Sequence, residues 1–114
     1  MGNDENQIHL PESFVALYVP AGKVKPTLGR DDLLQRYELC EDMAQLLTGR
    51  AADLQFQLGI TEEMALDQCE QGLLAEPAVV SPAEARWVVC RLAELLNWPM
   101  DQLLQAPPTG ASVA

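Results

Sequence analysis

The sequence is poor in basic residues, and this scarcity argues against several classes of protein. Aromatic residues are scarce as well, so Leu, Val and Ala must fill the core. The 114 residues include 7 Lys and Arg but 17 Asp and Glu, which gives a formal net charge of −10. A charge of that sign repels phosphate backbones and anionic lipid surfaces, so we expect neither nucleic acid nor membrane as a partner. No apolar run approaches the roughly 20 residues that span a bilayer, and we expect no signal peptide. We therefore predict a cytoplasmic protein.

Three cysteines and one histidine offer little for catalysis or metal binding. Cys40, Cys69 and Cys90 are scattered and each lies within an apolar helical pattern, so we predict buried thiols that are not bonded to one another. The single His9 cannot complete a zinc site, and no second group is identified that would orient it for catalysis. No phosphate-binding loop or hydrolase motif occurs. We predict no catalytic residue, no cofactor and no metal, and a protein that is not an enzyme.

The strongest helical pattern runs from Asp31 to Gly59. Apolar residues recur there at alternating spacings of four and three, which places them on one stripe of an α-helix. The stripe comprises Leu33, Tyr37, Cys40, Ala44, Leu47, Ala51, Leu54 and Leu58, and it is widened by Leu34, Met43 and Leu46. Asp31 or Asp32 could cap this helix, and Gly59 could end it. Because the stripe keeps its phase across Gly49, we favour one long helix over two helices bent there.

Two later segments also have helical signals. Thr61 can cap a helix over residues 61–74, whose apolar face contains Met64 or Ala65 followed by Cys69 and Leu73. Ser81, Pro82 and Glu84 form the sharpest local signal, because the serine can cap, the proline suits the first position and the glutamate can reach back. That helix should end near Asn97, with Trp87 and Arg91 toward the edge of its apolar face. Val79 and Val80 should enter the core, and Trp98 should pack under the end of the bundle, before a short turn through Leu104.

Residues 11–19 could form a short strand or a short helix. No second convincing strand is available to pair with this segment, and Pro11 suits the first turn of a helix, so we favour the helix. The fold class predicted is all-α: a small helical bundle built on one long central helix. We predict one helical domain over residues 10–105. The tails, 1–9 and 106–114, should be disordered because they have little to bury.

Two charged clusters are candidates for partner binding. Glu38, Glu41 and Asp42 lie together on one side of the long helix. The loop before that helix, rich in Pro and Gly, contains Lys23 and Lys25 and is followed by Arg30, so three of the seven basic residues lie there. The loop could bind a small anion or a carboxylate. Both clusters could instead be ordinary solvated surface.

Four stretches of the chain resemble a known family. They are SFVALYVPAGKVKP, RYELCEDMAQLL, GLL and VVSPAEARWVVCRLAELLNW, and the resemblance extends from Pro11 to Trp98. The family consists of small uncharacterised bacterial proteins, some of which carry the automatic label "ATPase with chaperone activity". The resemblance implies a compact helical domain and no established reaction. No nucleotide-binding motif is present to receive the ATPase activity, so we treat that half of the label as a mislabel.

Three hypotheses about function remain. The leading one is a non-enzymatic protein-interaction or chaperone-like adaptor that binds another protein and is itself a monomer or weak homodimer. The second is a small-ligand-binding protein or an enzyme with a pocket between helices, for which Tyr37, Trp87 and Arg91 are candidate lining residues. The third is a nucleic-acid mimic, which would need carboxylates spaced like phosphates along one face.

Overall fold

The computed structural model describes residues 9–98, which contain helices and no strand, as the all-α prediction required. The chain divides into two compact units, and the boundary between Leu39 and Cys40 lies inside the long helix. The single domain over residues 10–105 stays a prediction. Of the predicted tails, only His9 belongs to the described residues, where it is exposed. The predicted turn after Trp98 also lies outside them.

The first unit begins with a short helix, α1 (Glu12–Val15), which continues as a 3-10 turn over Ala16–Tyr18. Helix was therefore the correct choice for this segment. The side chain of Phe14 is fully buried. Its ring lies 5.5 Å from that of Tyr18 and meets the edge of Tyr37 at 5.6 Å, which is the geometry that aromatic pairs prefer.

The long helix, α2 (Arg30–Leu58), is unbroken over 29 residues. It passes through Gly49 without interruption and ends at Gly59, whose φ of +66° is the left-handed conformation predicted for that glycine. The prediction that Asp31 or Asp32 caps this helix was wrong. Because the helix already begins at Arg30, Asp31 and Asp32 lie in its first turn, where their charges still suit the positive end of the helix.

The second unit contains the later part of α2, together with α3 (Glu62–Leu74) and α4 (Pro82–Leu96). These three helices share one apolar core, and α3 and α4 are the pair in closest contact. The buried members of the core are Ala51, Leu66, Cys69, Val89, Leu92 and Ala93, with Leu47, Leu54, Leu73, Cys90, Leu96 and Trp98 packed against them. Trp98 thus packs where it was predicted to.

The ends of α3 and α4 follow the local signals. Thr61 caps α3, since its side-chain oxygen accepts a hydrogen bond from the amide of Met64 at 3.0 Å. Ser81 and Glu84 form the complete capping box, with each side chain bonded to the other residue's amide. Asn97 ends α4 with a φ of +62°.

Four predictions about burial were wrong. Leu46 and Leu58 are 78% and 57% exposed, because the buried face of α2 is narrower than the widened stripe and ends before Leu58, the last residue of the helix. Val80 is buried but its neighbour Val79 is 58% exposed. Trp87 is buried, not at an edge. Most sides of α4 between residues 84 and 93 are covered, which leaves no edge at that position.

Candidate functional site

Glu41, one of the predicted partner-binding residues, is bound within the second unit by Arg91 of α4. The Arg91 Nε donates to Oε1 of Glu41 at 2.9 Å, and its Nη2 donates to Oε2 at 3.1 Å. Gln45 donates to the same carboxylate at 2.9 Å. Arg91 also reaches Glu94, at 3.0 Å from its Nη1. The carboxylate of Glu41 is half-buried, so its first role is to join α2 to α4.

This arrangement changes the acidity of both partners. Burial acts to raise the pKa of Glu41, but the hydrogen bonds from Arg91 and Gln45 and the attraction of the guanidinium outweigh it, and the pKa is lowered. The hydrogen bond to Glu41 raises the pKa of Arg91. Glu41 is therefore an ionised structural group, unlike a raised-pKa carboxyl that could act as a general acid.

The other two members of the acidic cluster remain on the surface. Asp42 is exposed in the second unit, and Glu38 is exposed in the first unit. Of the three carboxylates, that of Glu41 is therefore partly buried, and those of Glu38 and Asp42 are exposed. Partner binding by Glu38 and Asp42 stays a prediction.

The basic loop lies in the first unit. Two backbone hydrogen bonds shape it. The amide of Lys23 donates to the carbonyl of Pro20 at 3.0 Å, and the amide of Thr27 donates to the carbonyl of Tyr18 at 2.8 Å. Lys23 and Lys25 are exposed and line an open, shallow depression of about 400 Å³, together with Pro20, Val24 and Thr27. Arg30 is exposed as the first residue of α2. These features fit a solvated loop as well as they fit a contact surface.

The three residues predicted to line a pocket have other surroundings. Tyr37 contacts Phe14 within the first unit. In the second unit, Trp87 is buried and Arg91 is engaged by two carboxylates. None of the three lines the depression beside Lys23 and Lys25, and none lines the groove that lies between α2 and α3.

One face of α2 in the second unit carries large apolar side chains into solvent. We call it the outer face of α2, and it comprises Asp42, Leu46, Gly49, Asp53 and Phe56, all exposed. Their spacings of four, three, four and three place them on one side of the helix. Phe56 is 87% exposed and Leu46 is 78% exposed, and the two lie about 15 Å apart along the axis.

Gly49 is the signal in the sequence that could have identified this face. A helix-interior glycine costs about 0.5–1 kcal/mol relative to alanine. Among the residues that the structure describes, a Cβ atom built at Gly49 would have nothing within 4 Å, so their packing gives no reason for the glycine. Sequence reasoning instead assigned Leu46 to the buried stripe and overlooked Phe56.

A second feature of the second unit is a groove between α2 and α3, with a volume of about 290 Å³. Leucines 47, 54 and 73 form most of its wall, together with Cys69 and Gly72. The polar residues that line it are Arg50 and Gln68. Burial raises the pKa of the Cys69 thiol, and the charge of Arg50 opposes that rise without cancelling it.

A largely buried ion pair joins α3 to α4 in the second unit. Glu70 of α3 is almost fully buried, and its Oε2 accepts a hydrogen bond from Nε of Arg86 at 2.9 Å. Its other oxygen, Oε1, has no hydrogen-bond partner within residues 9–98. Removing Arg86 would leave a buried charge uncompensated, so this pair makes the packing of α3 on α4 intolerant of change.

Within residues 9–98, no group of three or more His, Cys, Asp and Glu side chains could hold a metal ion. No helix in that range is long and apolar enough to cross a membrane. No protein-family model, curated protein or solved structure matches this chain. The geometry of the chain itself is therefore what supports a function.

Proposed function

We propose that this protein is a non-enzymatic interaction module, an adaptor or chaperone-like protein that binds another protein through the outer face of α2. One observation carries the proposal: Leu46 and Phe56 are exposed on that face, with an open glycine between them. Burying such side chains in a partner would gain roughly 1.5–3 kcal/mol each. Aromatic anchors of this kind dominate the binding energy of many interfaces.

Gly49 supports the same face for a separate reason. Because it has no side chain, a partner can approach the backbone of α2 closely between Leu46 and Phe56. In the free chain this glycine only weakens the helix. Its presence is explained if the helix is covered in a complex.

The charges indicate what kind of partner fits. Asp42 and Asp53 lie on the outer face beside the apolar side chains. A second copy of this chain would bring another net charge of −10 to the contact, so self-association should be weak and the protein a monomer or weak homodimer. The complementary partner is a basic amphipathic helix, with apolar residues for Leu46 and Phe56 and cations for the two aspartates.

The same reasoning favours a cytoplasmic protein that binds neither nucleic acid nor membrane. Its negative charge repels phosphates, and none of its three cysteines forms a disulfide bond, which suits a reducing compartment.

The test is affinity capture of the tagged protein from its own host, followed by mass spectrometry. We expect Leu46→Glu and Phe56→Glu each to lose a partner that the wild type retains. Leu58→Glu is the matched control, because Leu58 is also an exposed apolar residue of α2 but lies off the outer face. Recovery of the same partners with all three variants would contradict the proposal.

Gly49→Ala gives a second test that separates binding from folding. The added methyl group meets open space, so the variant should be more stable by about 0.5–1 kcal/mol. It should nevertheless bind the captured partner more weakly, because the partner can no longer approach the helix. A stabilised variant with unchanged binding would show that Gly49 isn't part of the contact.

A further inference from the structure

We propose that the groove between α2 and α3 is a binding site for a small apolar monocarboxylate. This proposal is independent of the outer face of α2, which lies elsewhere on that helix. It rests on three features of the groove: one cation that forms no ion pair with a described residue, an apolar wall, and a glycine that leaves the groove open.

The cation is Arg50. The described part of the second unit contains three basic residues, and two of them, Arg86 and Arg91, are bound to glutamates. Arg50 has no ion pair with any described residue, although the chain is strongly acidic. It is exposed, and no Asp or Glu is among the residues that line the groove. A guanidinium in this position can bind a carboxylate through two parallel hydrogen bonds.

The wall of the groove determines the rest of the ligand. Leu47, Leu54 and Leu73 provide an apolar surface, and Gln68 is the other polar group available to a carboxylate. A volume of about 290 Å³ lies at the lower end of the range for small-molecule sites, about 300–1,000 Å³. The ligand that fits is a carboxylate at Arg50 with a short alkyl or alicyclic tail along the leucines.

Gly72 explains why the groove is open. It lies within α3, where glycine is less favourable than alanine. A Cβ atom added there would meet no atom of the described residues within 4 Å, so their packing does not require a glycine. A larger side chain at this position would fill the groove without displacing any neighbour of the Cβ position.

The experiment is a titration of the full chain with octanoate, followed by the methyl and amide resonances of the isotope-labelled protein. We expect saturable shifts centred on Leu47, Leu54 and Leu73. Octanol and octylamine, which have the same tail without the carboxylate, should bind more weakly by about tenfold or more, since they lack the charge-assisted bond. Equal binding of octanol, or shifts centred elsewhere, would overturn the proposal.

Two variants make the test specific. Arg50→Gln should weaken octanoate binding by about tenfold, whereas Lys25→Gln makes the same charge change in the first unit and should alter it by less than about twofold. Gly72→Leu should abolish binding while the circular dichroism stays helical. Unchanged affinity in Arg50→Gln or Gly72→Leu would overturn the assignment of the site. Tighter binding of a peptide ending in leucine than of octanoate would overturn the assignment to a small monocarboxylate.

Discussion

Burial is the main influence on the reactivity of the Cys69 and Cys90 thiols. Burial raises the pKa of both thiols, and the nearby arginines, Arg50 for Cys69 and Arg86 for Cys90, oppose that rise without reversing it. Glu70 and Glu94 raise the pKa of Cys90 further. The thiolate is the reactive form, so both residues are poor nucleophiles at neutral pH. This supports their sequence-based interpretation as structural thiols.

We therefore predict slow alkylation of Cys69 and Cys90 in the native protein. Labelling with iodoacetamide, followed by mass spectrometry, should be slow at neutral pH and fast in denaturant. Both thiols keep their protons more tightly in the folded state, so the free energy of unfolding should also fall as the pH rises above 9.0, the ordinary pKa. Rapid labelling of either cysteine in the native state at neutral pH would contradict this account.

Glu41 provides the opposite pH dependence. Its pKa is below the ordinary value of 4.5 in the folded state, so its ion pair with Arg91 stabilises the fold above that pH. The stabilisation is lost as the pH falls through the folded-state pKa. We predict that Glu41→Gln lowers the free energy of unfolding at pH 7 and makes it less sensitive to acid than that of the wild type. Denaturant unfolding at several pH values measures both effects.

The matched control is Asp42→Asn, which removes a neighbouring carboxylate that is exposed. It should have less effect than Glu41→Gln at pH 7. Equal effects of the two substitutions would mean that the ion pair contributes nothing beyond net charge.

At the scale of the elements, the apolar pattern predicted each long helix but not which residues of α2 are buried. Leu46 and Leu47 are adjacent in the sequence, and both seemed compatible with a widened stripe. Neighbouring residues point about 100° apart on a helix, and only Leu47 packs against the core. Whether Leu46 or Leu47 is buried depends on where α3 and α4 pack against α2. The periodicity of α2 alone carries no information about those positions.

A comparison of leucines should make this difference measurable. Leu66 of α3 is fully buried and Leu46 is exposed. We predict that Leu66→Ala costs about 2–5 kcal/mol through lost burial and a residual cavity, whereas Leu46→Ala costs less than about 0.5 kcal/mol. The chemistry of the two substitutions is identical, so thermal or denaturant unfolding isolates the effect of position. Similar losses for both would show that Leu46 also faces a core.

The parts of the structure that sequence predicted best are those decided by neighbouring residues. Ser81 and Glu84 meet across three positions, and Gly59 needs only its own backbone freedom, so these caps could be read from the sequence. Glu41 and Arg91 are 50 residues apart, and nothing local indicates that they bind each other. For the same reason, the groove at Arg50 could not be predicted, because it exists only once α2 and α3 are packed.

At the scale of the whole molecule, the net charge of −10 favours an acidic module that meets a basic partner. Long-range attraction of this kind accelerates association and is weakened by salt. In the proposed complex, apolar contacts at Leu46 and Phe56 would act only at short range and would slow dissociation. The two contributions can therefore be separated by kinetics.

We predict that a helical peptide with leucines on one face and lysines on the other binds the full chain with an association rate that falls as salt increases. Between about 0.01 and 0.15 M ionic strength the screening length shortens from about 30 to about 8 Å, so surface plasmon resonance over that range should detect the fall. A peptide with glutamates in place of the lysines should not bind. Phe56→Ala should leave the association rate nearly unchanged and raise the dissociation rate, because it removes an apolar anchor and no charge. Salt-independent binding, or equal binding of the glutamate peptide, would contradict a basic partner. An unchanged dissociation rate in Phe56→Ala would place the contact away from the outer face of α2.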